Sequence, residues 1–256
     1  MTDTLNLHRW GPSGAPTLIL LHGLTDDGTA WPDAVRRWRD HYRIVAVDLR
    51  GHGRSPRFDD RQLRRSSEVW LTDVLDVLRG LDTPPVVIAH SLGGLLALRA
   101  ADAEPTLVRG LVLEDPAQPT GHPEPVPEFV AHQEEFLDRF ADGGAAEVAR
   151  MRTETAWRAD EIDAWAAGKP LVDRRMIRDA LVLGAPEWEA VFDRLSVLTL
   201  VLVPRDGEMA PDEGLIDNPL VRIHRLDGVG HCIRRDDPDL YHGLVDPFLA
   251  EITASG

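Results

Sequence analysis

Along the first half of the chain, short and nearly unbroken apolar runs alternate with longer stretches of helical period. "TLILL" (Thr17–Leu21), "RIVAV" (Arg43–Val47), "PVVIAH" (Pro85–His90) and "GLVLED" (Gly110–Asp115) are too short for helices and too continuously apolar for half-exposed strands. They read as strands buried on both faces. Between them, "AWPDAVRRWRD" (Ala30–Asp40) and "SSEVWLTDVLDVLRGL" (Ser66–Leu81) carry apolar residues three and four apart. Ser66 or Ser67 is placed to cap the second of these helices, and another is predicted from Leu92 to Ala103. Strand–helix alternation of this kind predicts a mostly parallel α/β sheet with helices on both faces, and such sheets keep their sites at the carboxyl ends of the strands.

The rhythm breaks after Pro116. A Pro-rich connector, "PAQPTGHPEPVP", leads into helical patterns only: "EFVAHQEEFLDRFADGG", "AAEVARMRTETAWRADEIDAWAAG" and "DRRMIRDALVLG". Strands return with "VLTLVLV" (Val197–Val203) and "LVRIHRL" (Leu220–Leu226), and a final helical pattern, "PDLYHGLVDPFLAEIT", follows. The expected organisation is therefore a core of residues 1–116 and 196–256 with an inserted helical cap, 117–195.

Composition narrows the function classes. The 256 residues are 43% hydrophobic and 28% charged, as in an ordinary globular protein, and carry a formal charge of −15. That charge argues against nucleic acid and against an anionic membrane surface as partners. The single cysteine, Cys232, excludes an internal disulfide, and no secretory signal or membrane-spanning run is visible, so a cytoplasmic location is expected. No metal-ligand spacing, phosphate loop or dinucleotide fingerprint appears, so no cofactor and no metal are implied.

Candidate chemistry sits where strand meets helix. In "AHSLGG" a serine stands between a buried strand and a buried helix, flanked by small residues. A sharp turn there would lift the Ser91 hydroxyl out of the sheet and aim the helix N-terminus at negative charge developing beside it. The alternative is that Ser91 merely caps a core helix. Three further segments bear on the choice: "LLHGL" (Leu20–Leu24), "DLRGHGRS" (Asp48–Ser55) and "GVGHCIRRD" (Gly228–Asp236). With "A-H-S-L-G", in this order and spacing, they resemble the α/β-hydrolase superfamily over nearly the whole chain. The departure is Ala89, where a glycine usually stands.

The resemblance implies roles. Ser91 matches the nucleophile and His231 the general base, with the backbone N–H groups of Leu24 and Leu92 forming the oxyanion hole. His22 and His52 match structural positions, and His90 is a candidate to line the pocket. The acid is less regular. In "PRDGEMAP" (Pro204–Pro211) Gly207 occupies the usual acid position and Asp206 falls one residue early. Another branch, like some lactonases and the haloalkane dehalogenases, takes its acid from the end of the strand after the nucleophile helix. Glu114 stands there in a place that wants an apolar residue, and a buried carboxylate needs a partner. Glu114 is therefore the expected acid, Asp206 the alternative, and Asp115 a turn or helix-cap residue that stays in the field.

A serine rather than a carboxylate at position 91 points to acyl transfer to water, not to dehalogenase or epoxide-hydrolase chemistry. The expected substrate is a small to medium, largely apolar carboxylic ester or lactone. In the helical insertion, Trp157, Trp165 and Trp188 are candidates to line its pocket; equally, they could close the insertion's own core. A non-catalytic small-molecule receptor and a cofactor-free C–C hydrolase or lyase remain alternatives on the same scaffold. Nothing in the pattern bears on the oligomeric state.

Overall fold

The structure is a computed structural model and describes residues 4–119, 121, 124–180 and 188–254. Seven strands form one sheet: β1 (Leu7–Trp10), β2 (Thr17–Leu21), β3 (Arg43–Val47), β4 (Val86–His90), β5 (Gly110–Glu114), β6 (Thr199–Pro204) and β7 (Val221–Leu226). Their order is β1-β3-β2-β4-β5-β6-β7. β1 runs antiparallel to β3, and every other pairing is parallel. The mostly parallel sheet read from the sequence is thus present. β1 escaped that reading because "LHRW" is a four-residue edge strand, too short and too mixed to show a period.

Alternation along each strand divides the interior in two. Ile19, Leu21, Val87, Ala89, Leu113 and Val201 face one way, against the helices Ser66–Arg79 and Leu92–Ala103. Leu18, Leu20, Ile88, Val112, Leu200 and Leu202 face the other, against Pro32–Trp38 and Pro238–Ala254. Because β2, β4, β5 and β6 are buried on both faces, truncating one of these side chains, as in Leu20→Ala, should cost about 2–5 kcal/mol. Neither Ser66 nor Ser67 caps its helix. Ser66 Oγ donates to the Ala180 carbonyl and Ser67 Oγ accepts from Arg99, so tertiary contacts take both hydroxyls.

Between β5 and β6 the described residues form helices Pro127–Asp138, Ala145–Glu154, Ala159–Gly168, Arg174–Asp179 and Trp188–Arg194. The long period read from 145 to 168 is interrupted at Thr155–Arg158, and the end of the "DRRMIRDALVLG" pattern lies outside the described residues. Phe140, Met151, Ile162, Trp165 and Ala166 close a small separate core.

Candidate active site

β4 ends at His90, and the chain turns into helix Leu92–Ala103 through Ser91, whose φ of 51° and ψ of −117° lie in a region that non-glycine residues rarely adopt. The turn is held on all sides. Ser91 N–H donates to the Glu114 carbonyl at 3.0 Å, and the Ser91 carbonyl accepts from Leu95 at 3.1 Å and Ala117 at 2.9 Å. Gly93 N–H donates to the His22 carbonyl at 3.1 Å, and a Cβ on Gly93 would come within 2.4 Å of the Leu21 carbonyl oxygen. That close approach is why a glycine stands two residues after the serine. Ala89 needs no such freedom: it is an ordinary β4 residue in register with Leu21 and Leu113, without positive φ.

At the end of β5 two adjacent carboxylates part company. Glu114 is fully buried on the face of Val112 and Leu202. It accepts from the Arg234 backbone N–H at 2.8 Å and from the Arg234 guanidinium at 2.7 Å. Asp115 has φ 38°, and this kink turns its carboxylate toward His231, whose Nδ1–H donates to Asp115 Oδ2 at 2.6 Å. The expected Glu114–His231 pair is therefore corrected to Asp115–His231. A strand residue cannot share its neighbour's direction, and the requirement that Glu114 be paired is met by Arg234 instead. One signal was in the sequence: Asp is among the few residues that tolerate positive φ, and it stands directly after the strand. The alternative, Asp206, is exposed and makes no hydrogen bond to His231. It lines a cleft of about 470 Å³ that also includes Asp115, Met209 and His231.

The Asp115 bond sets the His231 tautomer, leaving Nε2 as the proton acceptor. His231 sits beside the turn that carries Ser91. Its ring lies 4.5 Å from that of His90, and its backbone carbonyl accepts from His90 Nε2 at 2.9 Å. His90 is thus buried behind His231 and is not part of the cleft lining. Burial, together with the neighbouring His231, holds His90 well below the usual imidazole range. Ser91 Oγ has no hydrogen-bond partner among the described residues. Cys232 is a poor nucleophile, since burial pushes its thiol up to about 11.

The turn after β2 keeps its carbonyls occupied on one side. His22 Nδ1–H donates to the Gly23 carbonyl at 2.7 Å, and Leu49 N–H donates to His22 Nε2 at 3.0 Å, which fixes the neutral tautomer. Burial lowers the pKa of His22 accordingly. The Gly23 carbonyl also accepts from Asp26 N–H at 3.2 Å, and the Leu24 carbonyl meets His52 Nε2. The Leu24 N–H shares its peptide group with the Gly23 carbonyl and has no acceptor among the described residues; the same holds for the Leu92 N–H at the start of its helix. A Cβ on Gly23 would lie 2.8 Å from His90 Nδ1 and 3.3 Å from Ser91 Cβ, so this turn passes directly over the serine.

None of the three tryptophans lines the cleft beside His231. Trp165 belongs to the small core of the inserted helices. Trp188 is buried in the main core and packs edge-on to Phe192. Trp157 donates from Nε1 to Asp236 at 2.7 Å and carries the Arg235 guanidinium 5.0 Å over its ring. Their bulk serves packing and cation–π contact, a use that sequence pattern does not separate from pocket lining. Among the described residues no cluster of His, Cys, Asp or Glu could hold a metal ion, and no helix is long and apolar enough to cross a membrane.

A parallel sheet with a strained serine at the β4 turn and a carboxylate–histidine pair beside it defines a class, and the family comparison agrees. The model of the alpha/beta hydrolase family matches residues 18–243, and the chain belongs to that family. Among curated relatives, Lipase LipV of Mycobacterium tuberculosis is 37% identical over 123 residues, 46% of this chain and 43% of the relative. Epoxide hydrolase 4 of Homo sapiens is 33% identical over 107 residues, 40% of this chain and 28% of the relative. The matches thus span less than half the length of these relatives. A solved N-formylmaleamic acid deformylase from Pseudomonas putida S16 superimposes with a TM-score of 0.73 at 20% identity, covering 94% of this chain and 96% of that one; it shows the shared fold.

Proposed function

We propose that this protein is a serine hydrolase that cleaves a carboxylic ester or lactone through an acyl-enzyme. The observation that carries the reading is the His231–Asp115 hydrogen bond of 2.6 Å beside a serine held at φ 51°. Asp115 holds the imidazole with Nε2 unprotonated, and Nε2 takes the Ser91 proton as Oγ adds to the substrate carbonyl. The carbonyl oxygen becomes an oxyanion between the Leu24 and Leu92 N–H groups, in the field of the helix N-terminus. The tetrahedral species collapses, the Nε2 proton leaves with the alcohol, and water repeats the sequence in reverse roles to free the acid.

The lipase relative supports ester chemistry. The likeness to an epoxide hydrolase does not extend to its mechanism, because opening an epoxide through an ester intermediate needs a carboxylate nucleophile and position 91 is Ser. The inserted helices would then serve as a cap: Lys169, at the end of helix Ala159–Gly168, reaches the turn after β2 through the Thr25 carbonyl at 3.0 Å and the Asp26 carboxylate.

A chromogenic ester series tests the reading, with burst release of alcohol and covalent capture of residue 91 by a phosphonate. Ser91→Ala should lower kcat by about 10⁶ with the fold kept. Residual activity of more than a few per cent would sink the acyl-enzyme, and a parent protein that binds the ester without any burst would be a receptor.

A further inference from the structure

Six charged side chains lie buried together beneath the inserted helices: Asp26, Glu114, Glu161, Lys169, Arg234 and Arg235. Glu114 and Arg234 form the pair described above, and Arg234 stacks 4.0 Å over the ring of Trp31. Of the other four, Asp26 is the centre, with Lys169 and Arg235 on its carboxylate and Glu161 on Arg235. Lys169, at the end of helix Ala159–Gly168, donates from Nζ to Asp26 Oδ1 and to the Thr25 carbonyl at 3.0 Å. Arg235, four residues after His231, donates to Asp26 Oδ2 at 3.0 Å and to Glu161 at 3.1 Å. Asp26 thus joins three segments: the turn after β2, the inserted helices and the histidine loop.

What makes this more than a structural ion cluster is its place in the turn. Asp26 N–H donates to the Gly23 carbonyl, and that carbonyl belongs to the peptide group that presents the Leu24 N–H. Lys169 holds the next free carbonyl, that of Thr25, so the Gly23, Leu24 and Thr25 carbonyls are all engaged away from the serine. Two of those donors come from the core, His22 and His52; the third comes from the inserted helices. An unpaired carboxylate at this depth would draw the turn toward any other donor, and Lys169 with Arg235 keeps it where it is.

The geometry points to Lys169 and Asp26 as positioning residues that make the oxyanion-hole geometry of Leu24 depend on the seating of the inserted helices. The inference rests on the serine-hydrolase reading. Its consequence is that Lys169 acts on the transition state and not on ground-state binding, because the Leu24 N–H meets full negative charge only once Oγ has added.

The test is an alkyl trifluoromethyl ketone. Ser91 Oγ adds to its carbonyl, the proton passes to His231, and the electron pair becomes an oxyanion in the hole. Binding by the parent protein, lost in Ser91→Ala, tests the serine reading by itself. Comparison among parent, Lys169→Met, Asp26→Asn and Glu161→Gln then tests the coupling. Lys169→Met and Asp26→Asn should weaken ketone binding and lower kcat in parallel by about 10-fold or more, with KM for the ester within about twofold. Glu161→Gln removes a buried charge but keeps an amide oxygen for Arg235 and leaves every contact of Asp26 in place, so it should lower the melting temperature and leave ketone affinity within about twofold of the parent. A ketone affinity within about twofold of the parent in whichever of the Lys169 and Asp26 variants folds would overturn the inference. So would equal losses in Glu161→Gln, or a failure of both the Lys169 and Asp26 variants to fold, since the cluster would then be a folding element.

Discussion

The carboxyl ends of β5 and β6 are neighbouring edges of one sheet, and each carries a candidate acid. At the end of β5 the backbone kinks through Asp115 at φ 38°, and the carboxylate is 3% exposed against His231. At the end of β6 the loop Pro204–Pro211 turns Arg205 and Asp206 out to solvent, and Asp206 stands exposed at a cleft. The contrast bears on what the proposed role of orienting acid requires. It needs a fixed direction, which the kink supplies, and shielding from water, which keeps its attraction for an imidazolium from being screened. The exposed Asp206 carboxylate has no such shielding and no hydrogen bond to His231.

Breaking this contrast should first show in rate. Asp115→Asn should reduce kcat by up to about 10⁴, because an amide no longer enforces the His231 tautomer. Asparagine tolerates positive φ, so the fold should remain. Steady-state kinetics on folded protein reads the effect, and a loss of less than tenfold would remove Asp115 from the proposed triad.

The next effect separates the two carboxylates of β5 from each other. Glu114→Gln leaves the Arg234 guanidinium buried without its 2.7 Å counter-charge, and the Asp26 carboxylate, 3.9 Å away, is too distant to replace that hydrogen bond. The expected cost is about 3 kcal/mol of stability in urea unfolding, with kcat of the folded protein within about tenfold of the parent. Loss of activity at full stability would reverse the assignment of the pair.

Acid sharpens the same distinction between the buried and exposed sides of the site. Burial pushes His52 down to about 3 and also lowers His22 and His90. The unfolded chain takes up protons on these imidazoles near pH 6.5 while the folded chain does not, so stability must fall as pH drops below about 6.5 and continue falling toward about 3. Each contributes at most about 1.4 kcal/mol per pH unit. Asp26 and Asp48, whose pKa values are lowered by their partners, add a loss of the same sign at lower pH. Unfolding midpoints measured from pH 7 to 5 check this, and a flat profile would mean that the three rings are not buried neutral. The smallest effect belongs to the open edge: Asp206→Asn should leave kcat within about twofold.

The sequence by itself determined the sheet, because unbroken Val/Ile/Leu runs such as "TLILL" and "GLVLE" have no favourable alternative to burial on both faces. It also placed the Ser91 turn, since a serine two residues before Gly93 reports a close backbone approach that is local in the chain. It showed that Glu114 must have a partner. Which partner was decided by tertiary structure, because the answer depends on a 116-residue separation between Asp115 and His231 and on a kink that no period announces. The same holds for the tryptophans of the inserted helices. Their composition promises apolar surface, but its direction is set by which charged and apolar groups from distant loops pack against each ring, as Arg235 does on Trp157.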